Sequence, residues 1–147
     1  MGTLISSQET HACMHTDATY LLHLLHHVKP TGISGRVRLQ KVVYILKEGL
    51  AVPFATKFNR KKYGPFSEDL MDIIAKLKFE GFIEEERVGA QYVYKITKDG
   101  KRFYEENVVN KLDPRIIKRI DSVADELMKT RVGYLTGLAY ALEEVTK

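Results

Sequence analysis

The residues with most scope for chemistry sit near the start of the chain: His11, Cys13 and His15, then His23, His26 and His27. His23 and His27 are four apart, so on a helix they share a face, a spacing that zinc sites use. No carboxylate and no second cysteine stands at a recognised ligand spacing, and two ligands make a weak site, so no metal site is expected. Cys13 as a nucleophile would need an ordered base beside it, and none can be argued. Gly32 and Gly35 are not followed by Lys-Ser/Thr in the register of a phosphate loop. Glu84, Glu85 and Glu86 have no partner that suggests paired acid–base work, and a solvated strand accounts for them. The expectation is a non-enzymatic protein with no catalytic residue and no cofactor.

Charge is more informative. Residues 36–62 carry eight bases (Arg36, Arg38, Lys41, Lys47, Lys57, Arg60, Lys61, Lys62) against Glu48, a net of +7. Residues 67–94 carry seven acids (Glu68, Asp69, Asp72, Glu80, Glu84, Glu85, Glu86) against Lys76, Lys78 and Arg87, a net of −4. Residues 95–119 return to +4. Phosphate neutralisation dominates nucleic-acid affinity, so the candidate contacts are Arg36, Arg38, Lys41, Lys57, Arg60, Lys61 and Lys62. The alternative is that these are solvated surface bases.

Periodicity gives the elements that position these groups. Residues 1–16 lack a pattern and read as a tail; the patterned sequence begins just after Met14, which could itself be a start. Asp17 or Thr19 caps a first helix with Tyr20, Leu21, Leu24, Leu25 and Val28 on one face. Pro30, Gly32 and Gly35 end it. A second helix, from about Arg36 to Leu50, has the stripe Leu39, Val42, Val43, Leu46, Leu50. Phe54, Thr56 and Phe58 alternate with their neighbours, which suggests a short strand in 54–62, and Tyr63-Gly64-Pro65-Phe66 reads as a turn. Ser67 caps a third helix with the stripe Leu70, Ile73, Ile74, Leu77, and Gly81 stops it. A hairpin follows, 82–87 with 91–96, across Val88-Gly89-Ala90. Thr97 caps a helix from Lys98 to about Asn107. Asp113-Pro114 opens another, striped by Ile116, Ile117, Ile120, Val123, Ala124 and Leu127. Gly133 separates it from a last helix, about Tyr134–Val145, with Leu138, Ala141, Leu142 and Val145 on one face.

Helix, helix, strand, helix, hairpin is the order of a winged helix-turn-helix: mainly α with a small β-hairpin (α+β), plus a C-terminal helical extension. The division expected is a tail over 1–16, a winged-helix domain over 17–106, and C-terminal helices over 107–147. An apolar fraction of 44% with 29% charged residues excludes disorder. No apolar run is long enough for a membrane span, and no secretory signal opens the chain. A single cysteine fits a reducing, cytoplasmic setting.

Two resemblances follow. The run Leu77 to Gly81-Phe82-Ile83, then Tyr94-Lys95-Ile96-Thr97-Lys98-Asp99-Gly100, resembles MarR- and PadR-type regulators, which show Leu-x-x-x-Gly-[Leu/Phe]-Ile, a wing, and Tyr-x-[Leu/Ile]-Thr-x-x-Gly. Arg38-Leu39-Gln40-Lys41, Tyr44 and Tyr63-Gly64-Pro65 resemble the Panacea-type antitoxin domain and related prokaryotic proteins, and imply toxin neutralisation or an adaptor role. The first implies a DNA-binding transcriptional regulator, the second a protein-interaction module whose partner is a protein such as a toxin. A winged helix reads DNA with the N-terminal half of its third helix, yet here that half is acidic. About 16 residues also separate the second and third helices, where a simple helix-turn-helix uses about 3–4. The expectation is therefore a DNA-binding transcriptional regulator that uses the basic surface outside the usual recognition helix, and the alternative is a protein-interaction module of antitoxin or adaptor type without DNA binding. A homodimer through the apolar faces of the C-terminal helices is the expected assembly.

Overall fold

The computed structural model describes residues 14–62 and 64–146. His11, Cys13 and the tail up to residue 13 lie outside the described residues, as does Tyr63 of the expected turn. The elements are α1 (Thr16–His27), β1 (Ile33–Ser34), α2 (Arg36–Leu50), β2 (Asn59–Lys61), β3 (Gly64–Phe66), α3 (Glu68–Phe79), β4 (Ile83–Val88), β5 (Gln91–Ile96), α4 (Lys98–Phe103), α5 (Pro114–Lys129) and α6 (Val132–Thr146). The chain is thus mainly helical with two small antiparallel sheets, an α+β fold.

Two helices are central. Leu21, Leu22, Leu24 and Leu25 of α1 and Leu39, Val42, Val43 and Leu46 of α2 are all fully buried. Burial extends to Asp17, Ala18 and every residue of 20–25 in α1 and to every residue of 39–46 in α2, so each helix is covered on more than one side, which the single stripes assigned from the sequence did not imply. One cluster joins them to Leu70, Ile74 and Leu77 of α3, Tyr94 of β5, Ile120 and Ala124 of α5, and Leu135 of α6. The C-terminal helices therefore complete the same core that α1 to β5 build.

The main sheet runs β1-β5-β4, antiparallel throughout. Ile83 pairs Ile96 at one end and Val88 pairs Gln91 at the other. The exit from this hairpin is locked by local chemistry. Thr97 Oγ1 accepts from the Gly100 N–H at 2.9 Å and donates to the Gly81 carbonyl at 2.6 Å, and the Thr97 N–H donates to the Phe82 carbonyl at 3.0 Å. A Cβ at position 100 would lie 1.9 Å from the Phe82 oxygen, so only glycine fits.

Several sequence expectations shift. The first helix is capped by His15, whose Nδ1 accepts from the Asp17 N–H at 3.0 Å, and not by Asp17 or Thr19. Residues 51–58 form no strand. Val52, Phe54 and Thr56 are buried and Pro53, Ala55 and Lys57 exposed, so the alternation is real. The backbone N–H groups of Ala55 and Thr56 instead donate to the two oxygens of the buried Asp17, each at 2.7 Å. The strand comes later, at Asn59–Lys61, paired with Gly64–Phe66 where a turn was expected. The helix begun at Lys98 changes pitch after Phe103, with a wide π turn over Tyr104–Val108 and a 3-10 turn over Val109–Lys111, and that seats Tyr104 and Val108 in the core. Gly133 does not separate the last two helices: the break is at Thr130 and Arg131, and Gly133 lies inside α6. The inner face of α6 is Leu135, Leu138, Ala139 and Leu142, while Ala141 and Val145 look outward.

Candidate binding surfaces

The basic segment 36–62 divides into bases that hold the fold and bases that face water. Arg38 Nη1 donates to the carbonyls of Leu127 and Thr130, at 2.8 and 2.6 Å, and so caps the C-terminus of α5. A guanidinium on orphan helix-end carbonyls is favoured by both hydrogen bonding and the helix dipole. Lys41 is only 2% exposed; its Nζ donates to the Pro65 carbonyl at 2.9 Å. Burial pulls the Lys41 ammonium below the usual lysine range, and the nearby Glu143 opposes that pull. Lys47 Nζ donates to the Thr56 carbonyl at 2.6 Å. Arg38 and Lys41 were nucleic-acid candidates on the sequence alone; the structure spends both on internal contacts. Arg36, Lys57, Arg60, Lys61 and Lys62 remain on the surface.

The next residue along α2 explains the second motif. Gln40 is fully buried. Its Nε2 donates to the Ser67 carbonyl at 2.9 Å and its Oε1 accepts the Ser67 N–H at 2.8 Å. Ser67 in turn caps α3 by accepting the Leu70 N–H at 3.0 Å. Gly64, at φ 98°, brings the backbone so close to Lys41 that a Cβ there would lie 3.4 Å from Nζ. Tyr140 of α6 donates to the Lys62 carbonyl at 3.2 Å. The Arg-Leu-Gln-Lys run and the Gly64-Pro65 strand are thus two halves of one internal interlock, which fixes the long 51–67 connection on α2 and aims α3.

The α3 helix presents a different surface. Glu68, Asp69 and Asp72 are exposed in its first two turns. Lys61 approaches Glu68 only at 3.9 Å, with both groups in water, a contact worth little. Asp69 Oδ2 accepts the Lys57 backbone N–H at 3.3 Å. On the hairpin, Glu85 pairs with Lys78 at 3.4 Å and Glu86 with Lys95 at 3.0 Å. At the end of α3, Phe79 is 92% exposed. The sequence held a signal for this: Phe79 falls two residues after Leu77, off the buried stripe, and so on the solvent side of a 3.6-residue helix. That reading was missed.

The histidines of α1 meet α5 and the π turn. His23 is buried; its Nε2–H donates to Asp121 Oδ1 at 2.7 Å and its Nδ1 accepts from the Tyr104 hydroxyl. His27 lies 3.2 Å from Asp121 and 3.3 Å from Asp125, and His26 donates to Glu105 at 2.8 Å. Burial lowers the His23 pKa, while the hydrogen bond and charge of Asp121 act the other way. Burial also drives the Tyr104 hydroxyl up to about 12, with the Asp121 charge adding to it. These contacts join α1 to α5 and the π turn; among the described residues, no group of three or more His, Cys, Asp or Glu side chains is placed to hold a metal ion. No helix among them is long and apolar enough to cross a membrane.

No family model matches the chain. It is similar to YwgA, an uncharacterised protein of Bacillus subtilis (strain 168), with 41% identity over 75 residues. That similarity takes in 48% of this chain and 45% of YwgA, so the chain is matched to less than half of its relative's length.

Proposed function

We propose that this chain is a non-enzymatic winged-helix protein that works as a protein-interaction module of antitoxin or adaptor type, in the cytoplasm. The winged-helix reading is supported by the order α1-β1-α2-α3-β4-β5, with β1 closing a three-stranded antiparallel sheet beside the hairpin. The observation that carries the functional reading is the exposed trio Glu68, Asp69 and Asp72. It occupies the N-terminal half of the helix that a DNA-reading winged helix lays in the major groove. Phosphates are repelled there, whereas a protein surface with basic groups is attracted.

A second reading is favoured by the hairpin β2–β3. Lys57, Arg60, Lys61 and Lys62 stand exposed on and beside it, whereas Arg38 is half-buried and Lys41 buried. They suit phosphate contacts made outside the recognition helix, in a DNA-binding regulator. One measurement separates the readings: fluorescence anisotropy of a labelled duplex at low salt. The protein-interaction reading expects no saturable binding. Saturable binding that falls steeply with salt, and is lost when Lys57, Arg60, Lys61 and Lys62 are all replaced by Ala, would establish the DNA reading instead.

A further inference from the structure

We infer that the outward stripe of α3, Glu68-Asp72-Ala75-Phe79, is the docking face, and that its occupant is a basic protein segment with an apolar socket for the Phe79 ring. The inference rests on the protein-interaction reading above and names the surface and the chemistry of the partner.

The four residues are spaced i, i+4, i+7, i+11, which puts them in one line about 16 Å long. All four are exposed. The line has two unlike ends. At the first, Asp72 has no ion-pair partner among the described residues, and Glu68 has only the loose, solvated approach of Lys61. At the other end Phe79 holds an almost fully exposed aromatic ring, in a protein whose other phenylalanines with described burial are buried or half-buried. Between them Ala75 is small enough to let another chain approach the helix closely. Aromatic anchors that enter a pocket on the partner dominate protein–protein affinity, and charges at the margin set orientation and partner choice. Acids at one end and an aromatic anchor at the other, with the exposed Lys76 and Lys78 nearer the ring, select a partner whose basic groups lie about 10–16 Å from an apolar hollow. Nucleic acid offers the wrong sign of charge to Glu68 and Asp72.

The stripe can be removed without touching the core, since Phe79 contacts water and not the buried face of α3. The experiment pans a phage-displayed library of random peptides on the full chain, then measures the enriched peptides by anisotropy against the wild type, Phe79→Ser, Glu68→Lys/Asp72→Lys, and Arg60→Glu/Lys61→Glu. Thermal melts establish that each variant is folded. The expected result is enrichment of peptides of net positive charge bearing apolar residues. Their binding weakens at least about tenfold with Phe79→Ser and with the double acid reversal, and changes little with the hairpin variant. Enriched peptides that ignore both α3 variants would sink the stripe while leaving a protein-interaction role in place. Acidic peptides that depend on Arg60 and Lys61 would move the docking face to the hairpin and overturn the inference. An absence of enriched peptides, together with saturable duplex binding, would overturn the protein-interaction reading itself. Self-association abolished by Phe79→Ser would show a second copy as the occupant and overturn the basic-partner assignment.

Discussion

The side-chain amide of Gln40 meets the backbone of Ser67 from both sides, donating to its carbonyl at 2.9 Å and accepting its N–H at 2.8 Å. An amide is the group that can do both at once with no charge. The Ser67 backbone is buried at the junction between a long irregular connection and α3, where no ladder can satisfy it. Gln40→Leu keeps most of the volume and orphans both backbone groups. It is expected to cost about 2–3 kcal/mol, the penalty of two buried polar groups left without partners. A calorimetric melt checks this, with the midpoint expected to fall by roughly 4–10 °C for a chain of this size. An unchanged midpoint would mean that the connection is held by other contacts.

Gly100 is the second position where one atom decides. Its missing Cβ leaves room for the Phe82 carbonyl, which accepts from the Thr97 N–H. Gly100→Ala places a methyl group 1.9 Å from that oxygen and 2.8 Å from the carbonyl carbon, both backbone atoms, with the Ile96 side chain at 2.9 Å. The expected cost is about 3 kcal/mol, at the upper end of ordinary overpacking. Thr97→Ala removes the cap but adds no clash, and is expected to cost about 1 kcal/mol. Denaturant midpoints for the two variants give the order. If Thr97→Ala proves the worse, the cap and not the close approach organises this corner.

The His23 seam gives a pH dependence with a definite sign. Burial holds the folded-state pKa below the ordinary histidine value near 6.5, against the pull of Asp121. The unfolded chain therefore binds the proton first as pH falls. Stability from the neutral, buried imidazole is complete above about pH 6.5 and is lost as pH drops from there towards the lowered folded value. His26 and His27 on α1, Tyr104 on the π turn, and Asp121 and Asp125 on α5 face the same space. His23→Gln isolates its part: a glutamine can still donate to Asp121 and accept from Tyr104 but does not titrate. Urea midpoints between about pH 5 and pH 8 are expected to slope less in the variant than in the wild type. Equal slopes would assign the pH dependence to the other groups.

What the sequence makes legible here is local. Ser67 before two acids, Thr97 three residues before Gly100, and Asp113 before Pro114 each place a cap within one turn of the helix it serves, and all three are present. Phe54 and Thr56 show where such reading stops. Their alternation is correct, but the acceptors for the neighbouring N–H groups belong to Asp17, 38 positions away, so no strand forms. Charge has the same horizon. A run of bases looks uniform until Arg38 finds two carbonyls on α5 and Lys41 finds the Pro65 carbonyl. The outward face of α6 was misassigned for a related reason: Leu138, Ala141, Leu142 and Val145 fit one stripe, but α2 and β3 pack against the face centred on Leu135 and Ala139.

That division of the bases is open to a direct stability test. Arg38→Met retains the aliphatic stem and removes the donors that cap α5, leaving the Leu127 and Thr130 carbonyls with one partner fewer. The site is half-buried and water can partly replace the guanidinium, so the expected cost is about 1 kcal/mol. Lys41→Met removes a buried donor from the Pro65 carbonyl and takes a positive charge away from the half-buried Glu143, so it is expected to cost more, about 2–3 kcal/mol. Lys61→Ala, on the exposed hairpin, is expected to stay within about 0.5 kcal/mol of the wild type. The ranking Lys41, Arg38, Lys61 by equilibrium unfolding is the decisive readout. A Lys61→Ala variant as damaging as Lys41→Met would show that Lys61 is also committed to the fold, and would take it out of any phosphate-binding surface built on the hairpin.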